Sequence, residues 1–435
     1  MAATTGGPAA TDEPPPRRSL SLYLLIGICS VSPRLTTSTL ILVASQAIYN
    51  GGMAIEVVLM LRWFESLQID AYFYALSLAS VFEVGVHWGS QHMVNREATA
   101  RFEELNQRLP GLFTASLLTV LFVFLLIAGI EGPVLAVIAC CALIRAGSTL
   151  LGAICIGRGH IGPPALARLL ASGTGLLGLL LFVQPNPSLG RLAIVIGSAT
   201  LAYVLPLVIA SRRIGVRLTT KSAQLPLIWR QLAVHLWPFL FLFFCGQFLY
   251  RVDPAILTWI GDEGLVTRYS AAFKWVEGLF FLAYVVASAT IPALVKATQG
   301  PSVESANRTL LQVAATLTAG TLCVAVALLF VGEPLLLWMV GINFEPSVPL
   351  FRVFAWLLPI HSLGVFLSAA LVAFGCERRL LTITALAAAV GLAIKVPGFA
   401  LYGIDLFVVG VFSGLIFHVL ACAVALWRRP LAATA

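Results

Sequence analysis

The sequence predicts an all-α membrane protein of about 12 transmembrane helices, in two six-helix lobes related by a pseudo-twofold axis along the membrane normal. Of its 435 residues, 59% are hydrophobic and 11% are charged, whereas a soluble domain carries about 25% charged residues. Apolar segments of the roughly 20 residues needed to cross the hydrocarbon core recur along the whole chain. The two halves of the chain also share an order of features, which predicts the two lobes.

Twelve apolar segments are long enough to span a membrane. Segment 20–32 is too short for a span and lacks the small-residue cleavage site of a signal peptide, so we expect an interfacial helix there. The Pro-, Ala- and Thr-rich tail before it is expected to be disordered. The predicted spans are residues 39–60, 70–92, 109–130, 133–157, 163–184, 191–211, 233–259, 268–294, 308–331, 349–374, 380–401 and 404–427.

The basic residues orient this bundle. Of the 27 Lys and Arg residues, 19 fall at the termini or in the loops that join even-numbered to odd-numbered spans, and 5 fall on the other side. Because cytoplasmic loops are enriched in Lys and Arg, both termini are predicted to be cytoplasmic. The formal net charge of +8 therefore reflects orientation in a membrane, and nucleic-acid binding is not expected.

A basic loop near the middle of the chain separates the two halves. Each half opens with a long span, a short polar loop that contains a tryptophan (Trp63, Trp259), and a second span that starts with tyrosine and carries a glutamate. Six spans per half make the repeats parallel, a plan that suits two lobes rocking about a central site. The predicted units are a cytoplasmic tail with the interfacial helix (1–35), a six-helix lobe (36–212), a basic cytoplasmic loop (213–230), a second six-helix lobe (231–428) and a cytoplasmic tail (429–435).

Charged residues within the predicted spans mark the candidate site. An ionised side chain at membrane depth is costly, and it usually lines a substrate or ion path or pairs with an opposite charge. The candidates for contact with substrate or cavity are Arg145, Arg251, Lys274, Lys395 and Arg62. The candidates for ion coupling or charge pairing are Asp253, Glu277, Glu83 and Glu56.

A rise of about 1.5 Å per residue gives the depth of each charge. Arg145 is predicted closest to the midplane, and Glu83 on the inner side of centre. Either these charges contact substrate, or cations and anions pair completely and only fix helix packing. For Asp253 and Lys274, pairing with each other and contact with substrate are both considered. The layer predicted in the outer half of the membrane contains Arg251, Asp253, Lys274, Glu277 and Lys395.

No catalytic, metal or cofactor site is predicted. The sequence has no Gly-rich phosphate loop, HExxH motif or nucleophile elbow, and none of its eight cysteines forms a CxxC pair. The longest predicted external loop, residues 331–349, is short for the acceptor site of a membrane glycosyltransferase, ligase or polymerase. These features favour a transporter over an enzyme.

Three stretches resemble the polysaccharide flippases of the multidrug/oligosaccharidyl-lipid/polysaccharide (MOP) exporter superfamily: residues 57–98, 250–297 and 367–414. The matching features are Arg62 closing the first span, the loop Asn95 to Ala98, Asp253 in the seventh span, Tyr269, Glu277 and Pro292 in the eighth, and Tyr402 with Gly403 before the last. The resemblance covers most of the chain.

This resemblance implies a flippase of the bacterial inner membrane. Its substrate would be an undecaprenyl-diphosphate-linked oligosaccharide, such as an O-antigen, capsule or exopolysaccharide unit, moved outward by alternating access and coupled to protons or sodium. A drug or small-molecule cation antiporter of the same superfamily is the alternative within transport. A membrane-embedded glycan ligase or polymerase is the alternative from another class.

Overall fold

The structure, a computed structural model, is helical almost throughout, and its described residues contain no strand. It describes residues 33–87, 94, 102–216, 241–249, 251–261, 264–284, 286 and 303–428. The predicted interfacial helix, most of the predicted basic loop 213–230, the loop Asn95 to Ala98, and Pro292 lie outside these residues.

Among the described residues, the N-terminal half has six helices, whose positions agree with the first six predicted spans. A π-helical stretch, Leu179–Val183, continues directly from the end of α5. The turn before α4 needs a glycine, because Gly132 has φ 93°, a region that L-residues rarely adopt, and Pro133 then opens the helix. The helices are α1 Pro33–Trp63, α2 Ser66–His87, α3 Phe102–Ile130, α4 Pro133–Gly157, α5 Gly162–Gly178 and α6 Leu189–Arg213.

Among the described residues, the C-terminal half has seven helices, with further helical stretches at 241–249 and 281–284. The predicted extent of the external loop, 331–349, is too long, since α9 continues to Val340 and a 3-10 turn, Ile342–Ser347, follows it. The predicted tenth span is divided at Trp356 into α10 and α11. The helices are α7 Asp253–Ile260, α8 Leu265–Leu279, α9 Val303–Val340, α10 Val348–Ala355, α11 Leu357–Ala373, α12 Glu377–Tyr402 and α13 Ile404–Trp427.

Eight helical segments among the described residues are long and apolar enough to cross a membrane. They are α3 to α6, α9, α10 joined with α11, α12 and α13. Their outward faces carry large exposed hydrophobic side chains, as lipid contact requires; Leu125 and Phe330 are examples. The chain is therefore a multi-pass membrane protein.

The other four of the described helices, α1, α2, α7 and α8, contain six of the nine candidate charged residues and meet between the two halves. Helix α2 packs against α7 and α8, and α1 packs against α8 and α9. Within the halves, α4 packs against α2, α3 and α6, and α13 packs against α11 and α12. Charged side chains are thus concentrated on the helices where one half faces the other.

We call the end of the bundle that carries the turns at Phe64, Gly132 and Gly264 the predicted external end. At this end α1 turns into α2, and α7 into α8. A hydrophobic core of buried side chains runs through both halves, and its largest fully buried members include Tyr269, Phe73 and Phe407. The two halves are therefore packed together, with the polar site set into an otherwise apolar interior.

Candidate functional site between the two halves

The seventh span is broken beside its charged residues. The helical stretch 241–249 ends before Arg251, and the backbone N–H groups of Arg251 and Val252 both donate to the Gln247 carbonyl, at 2.7 and 3.2 Å. Helix α7 then restarts at Asp253, with Pro254 in its first turn. Proline is tolerated there because the first turn of a helix has no intrahelical acceptor for its N–H groups. This break aims the Arg251 and Asp253 side chains at different neighbours.

Asp253 belongs to a completely buried cluster of three side chains. Its carboxylate accepts a hydrogen bond from Lys395 Nζ at 2.6 Å and another from the Tyr269 hydroxyl at 2.7 Å. The exposed fractions of Lys395, Asp253 and Tyr269 are 0%, 1% and 0%. We call these residues the buried triad. It joins α7, α8 and α12, and its carboxylate also lies in the first turn of α7, where a helix favours negative charge.

Helix α13 comes close to the lysine of the triad. A Cβ atom added at Gly410 would lie 2.7 Å from both Lys395 Cγ and the Lys395 backbone nitrogen. Backbone cannot move away from such a contact as the end of a flexible side chain can. Gly410 is therefore required for α13 to pack on α12 at this level.

Arg251 belongs to a second set of charges, which is partly exposed. Its guanidinium lies 3.3 Å from a Glu83 oxygen through Nη1 and 3.5 Å from a Glu277 oxygen through Nε. Glu277 also pairs with Lys274 of the same helix at 2.5 Å. The side chains of Arg251 and Lys274 are 48% and 31% exposed, and each carboxylate is 19% exposed. We call Glu83, Arg251, Lys274 and Glu277 the central cluster.

Helix length predicts that the central cluster lies deep in the membrane. Glu277 follows the start of α8 at Leu265 by a length of about 18 Å at 1.5 Å per residue, which is near the middle of a hydrocarbon core of roughly 30 Å. Glu83 comes from α2 in the N-terminal half, and the other members come from the C-terminal half. The cluster has two cations and two carboxylates, so its formal charge is zero. It places polar, reachable groups at the boundary between the halves.

A serine of α2 fixes the backbone on which Arg251 sits. The Ser77 hydroxyl donates to the Arg251 carbonyl at 2.5 Å and accepts from the Ala255 N–H at 3.4 Å. These two bonds satisfy backbone groups that the break leaves without helical partners. Ser77 and Glu83 lie six residues apart on α2, about 9 Å along the helix, so one helix holds both the backbone and the guanidinium of Arg251.

The halves are tied together more tightly at the predicted external end. Asp70 of α2 accepts from the N–H groups of Gly264 and Thr267, at 2.8 and 2.6 Å, and from the Thr267 hydroxyl. Gly264 occupies the N-cap position of α8 and has no side chain to cap the helix. The Asp70 carboxylate thus supplies the cap from the other half. Nearby, Arg62 donates to the Trp338 carbonyl at the end of α9.

Arg145 and Glu56 lie elsewhere, inside the N-terminal half. Arg145 donates to the Thr200 hydroxyl at 2.9 Å and contacts Met53 Sδ at 3.8 Å. Both Arg145 and Glu56 line a small cavity among α1, α2, α4, α5 and α6. Glu56 reaches over Gly175, where an added Cβ would lie 2.0 Å from its Oε1. Within the part of the chain that the structure describes, Glu56 makes no ion pair.

The structure thus divides the predicted site residues into separate groups. Arg251, Lys274, Glu277 and Glu83 come together, although the sequence places Glu83 in a different layer. The Asp253–Lys274 pair is not formed, because Asp253 bonds Lys395 and Lys274 bonds Glu277. The remaining members are set apart: Lys395 and Asp253 in the buried triad, Arg145 and Glu56 in the small cavity, and Arg62 at the predicted external end.

Sequence reasoning missed two residues that join the halves. Ser77 is an ordinary helix residue in the sequence, and its role depends on a break in another helix. Asp70 falls at the edge of a predicted span, where a carboxylate is unremarkable. The one available signal was Gly264, since a helix that starts after glycine needs its acceptor from elsewhere.

No family model and no curated protein sequence matches this chain. Solved structures do. The lipid II flippase MurJ in an inward closed conformation is 16% identical, with a TM-score of 0.69 over 91% of this chain and 88% of that one. A multidrug resistance MATE family transporter of the MOP superfamily in an outward-facing conformation is 18% identical, with a TM-score of 0.59 over 91% and 93%.

A third similar structure is a MOP superfamily transporter from Pyrococcus furiosus, 17% identical, with a TM-score of 0.58 over 91% of this chain and 93% of that one. These matches span nearly the full length of both partners, although few residues are identical. The chain therefore has the all-α fold of about 12 helices that MurJ and the MATE transporters of the MOP superfamily share.

Proposed function

We propose that this protein is a flippase that moves an undecaprenyl-diphosphate-linked oligosaccharide across the bacterial inner membrane by alternating access. The observation that carries the proposal is Arg251, a cation with a half-exposed side chain at membrane depth on the boundary between the halves. A guanidinium is always charged, and its planar fork matches phosphate oxygens in two simultaneous hydrogen bonds. Lys274 adds a second, partly exposed cation beside it.

The diphosphate is the part of such a substrate that these cations suit. Its headgroup must cross an apolar core, where an unpaired phosphate is costly. Cations held between two halves would pair with it at the middle of the path, while the lipid tail stays in the bilayer. The positive charge of Arg251 and Lys274 supports a diphosphate-linked substrate, and the proposal names no particular sugar.

One side chain is proposed for ion coupling. Glu56 borders the small cavity of the N-terminal half and lacks an ion pair among the described residues, so a proton or a sodium ion is its proposed partner. The buried triad is proposed to have a positioning role, because none of its members is exposed. No step of this transport needs an enzyme's nucleophile or acid–base pair, so we propose that the protein is not an enzyme.

A drug or cation antiporter is the second candidate, and one observation favours it. The central cluster contains two carboxylates, Glu83 and Glu277, and carboxylates pair with organic cations. MATE in complex with MaL6 is among the structures with a similar fold, at 16% identity and a TM-score of 0.58. A glycan ligase or polymerase is less favoured, since the helical 3-10 segment and α9 fill the longest predicted external loop.

Reconstituted vesicles separate these candidates. We expect the protein to move a fluorescent undecaprenyl-diphosphate-linked sugar between leaflets, measured by its loss of protection from a membrane-impermeant quencher. The change Arg251→Ala should abolish this movement, whereas Leu125→Ala, on a lipid-facing surface, should preserve it. Movement of an organic cation driven by a proton gradient, with no movement of the lipid, would establish the antiporter instead.

A further inference from the structure

An exposed tyrosine borders the central cluster. Tyr284 belongs to the helical stretch 281–284 that follows α8, and 57% of its surface is exposed. Its hydroxyl lies close enough to Arg251, Glu277 and Glu83 for the charges of all three to act on it. Because the central cluster lies where one half faces the other, the open surface of Tyr284 borders the same space as the partly exposed cations.

The ring of Tyr284 is held from the side of the C-terminal half. Its centroid lies 6.1 Å from that of the His361 ring on α11, with an angle of 65° between the two planes. The His361 ring in turn stacks on Phe280 at 3.7 Å and 16°. Tyr284 therefore ends a row of three rings that begins in the buried core. Packing on one side positions the ring, and its open side is free to bind a ligand.

The position of Tyr284 along the helix is defined relative to the charges. It follows Glu277 by seven residues, a length of about 10 Å away from the predicted external end. Two tight turns connect them, in which the Phe280 N–H donates to the Glu277 carbonyl at 3.0 Å and the Ala283 N–H donates to the Phe280 carbonyl at 3.1 Å. Residues two helical turns apart lie on the same side of a helix. A headgroup that extends from Arg251 toward the predicted cytoplasmic side would therefore meet this ring.

The proposed substrate has a group that suits an aromatic ring at this position. Its first sugar is bonded directly to the diphosphate, so this sugar lies next to the phosphates wherever the cations hold them. One face of a pyranose presents C–H groups with partial positive charge, and the face of a tyrosine ring carries partial negative charge. The two faces can therefore stack. The tyrosine hydroxyl at the edge of the ring can also donate to or accept from a sugar hydroxyl.

We propose that Tyr284 is the stacking surface for the pyranose bonded to the diphosphate, and that it forms a sugar subsite beside Arg251 and Lys274. This inference rests on the proposed function and adds recognition of the headgroup beyond its phosphates. Because every pyranose has C–H groups, stacking favours a sugar ring without requiring one particular sugar. A carrier lipid without its sugar lacks this contact, so the subsite distinguishes the loaded carrier from the unloaded one.

The test is a binding measurement with purified full-length protein in nanodiscs. The probes are undecaprenyl diphosphate and the same lipid bearing one glucose, one galactose or one N-acetylglucosamine. We expect the unmodified protein to bind at least one sugar-bearing lipid about five- to tenfold more tightly than the sugar-free lipid. Tyr284→Leu should reduce that difference to less than about twofold. Its Kd for the sugar-free lipid should not change, which shows that the fold and the cations are intact.

Two further variants serve as controls. Tyr284→Phe keeps the ring and loses the hydroxyl, so it should retain more than about half of the preference for the sugar-bearing lipid on a logarithmic scale. Phe330→Leu removes an exposed aromatic ring from the lipid-facing surface of α9. Neither Kd should change in that variant, because Phe330 lies outside the space between the halves.

The outcomes distinguish this inference from the proposed function. If the unmodified protein binds none of these lipids, the proposed function fails. If it binds the sugar-free lipid, three results overturn the sugar subsite alone. The first is equal Kd values for all the lipids in the unmodified protein. The second is a preference that Tyr284→Leu leaves unchanged, or a loss in that variant that is equal for sugar-bearing and sugar-free lipids. The third is a loss in Tyr284→Phe as large as in Tyr284→Leu, since the hydroxyl and not the ring would then bind the sugar.

Discussion

Lys395 Nζ lies 2.6 Å from Asp253 Oδ1, and neither side chain reaches the surface. Two residues away along the chain, Arg251 is half-exposed and belongs to a different set of charges. The buried pair therefore holds the break in the seventh span in place, directly after the half-exposed residue Arg251. Lys395 is a positioning residue in this arrangement, and its ammonium acts through Asp253.

The buried pair should behave as a unit. Asp253→Asn or Lys395→Met alone leaves the other charge buried without its partner, and we expect a loss of about 3–5 kcal/mol in stability, seen as a lower melting temperature in detergent. The double variant should regain most of that loss, since no unpaired charge remains. Combining Asp253→Asn with Lys274→Met is the control, and here the two losses should simply add.

Gly410 should tolerate no side chain. Gly410→Ala places a Cβ 2.7 Å from the Lys395 backbone nitrogen, so α12 and α13 must separate, and we expect a loss of about 1–3 kcal/mol. Gly197→Ala, in α6, is the matched change, because an added Cβ there meets nothing within 4 Å. That variant should be neutral or up to about 1 kcal/mol more stable, as alanine favours a helix. Equal melting temperatures for the two variants would contradict the close approach of α13.

The sequence predicts the helices well and their partners poorly, for a physical reason. The depth of a residue in the membrane follows from counting residues along its helix, so the sequence places Asp253, Lys274 and Lys395 in one layer. Which of the two lysines meets Asp253 depends on how α7, α8 and α12 rotate and pack, and no pattern within one helix records that. The Lys274–Glu277 contact is local, three residues apart, and such spacing is visible in the sequence.

Asp70 should hold the predicted external end closed. Asp70→Ala removes the acceptor for two backbone N–H groups of α8 and for the Thr267 hydroxyl. In a background without native cysteines, we expect Leu265→Cys, buried beside the cap, to react faster with an impermeant maleimide once Asp70 is changed. Asp70→Asn keeps an acceptor oxygen and should give an intermediate rate. An unchanged rate in Asp70→Ala would remove this contact from the closure of that end.

Reporter fusions test the predicted orientation. Trp338 and Asn343 lie at the predicted external end, so reporter fusions near Asn343 should behave as external, and fusions after Arg230 should behave as cytoplasmic. The positive charges of the loops are the physical basis for this orientation. Fusions with the opposite behaviour would invert the direction of transport proposed for the protein and would also overturn the assignment of Asp70 to an external closure.

The two arginines at membrane depth should have separable roles. The sequence places Arg145 among the candidates for substrate contact. The structure packs it against Thr200 and Met53 inside the N-terminal half, beside a small cavity that Glu56 also lines. Arg145→Ala leaves that carboxylate without its nearby cation, so we expect less protein in the membrane. Arg251→Ala also takes a cation from two carboxylates, but Glu83 and Glu277 are partly exposed and Glu277 keeps Lys274, so we expect a smaller loss of abundance.

Export per molecule decides between these roles. Membrane abundance and surface glycan are measured together in cells that lack the native gene. Arg251→Ala should stop export, while Arg145→Ala should retain most of the export per inserted molecule. Arg251→Lys should recover only part of the activity, because a point charge loses the two-pronged contact with phosphate. If Arg145→Ala inserts normally but blocks export, then Arg145 lies on the substrate path, and the central cluster alone does not carry the site.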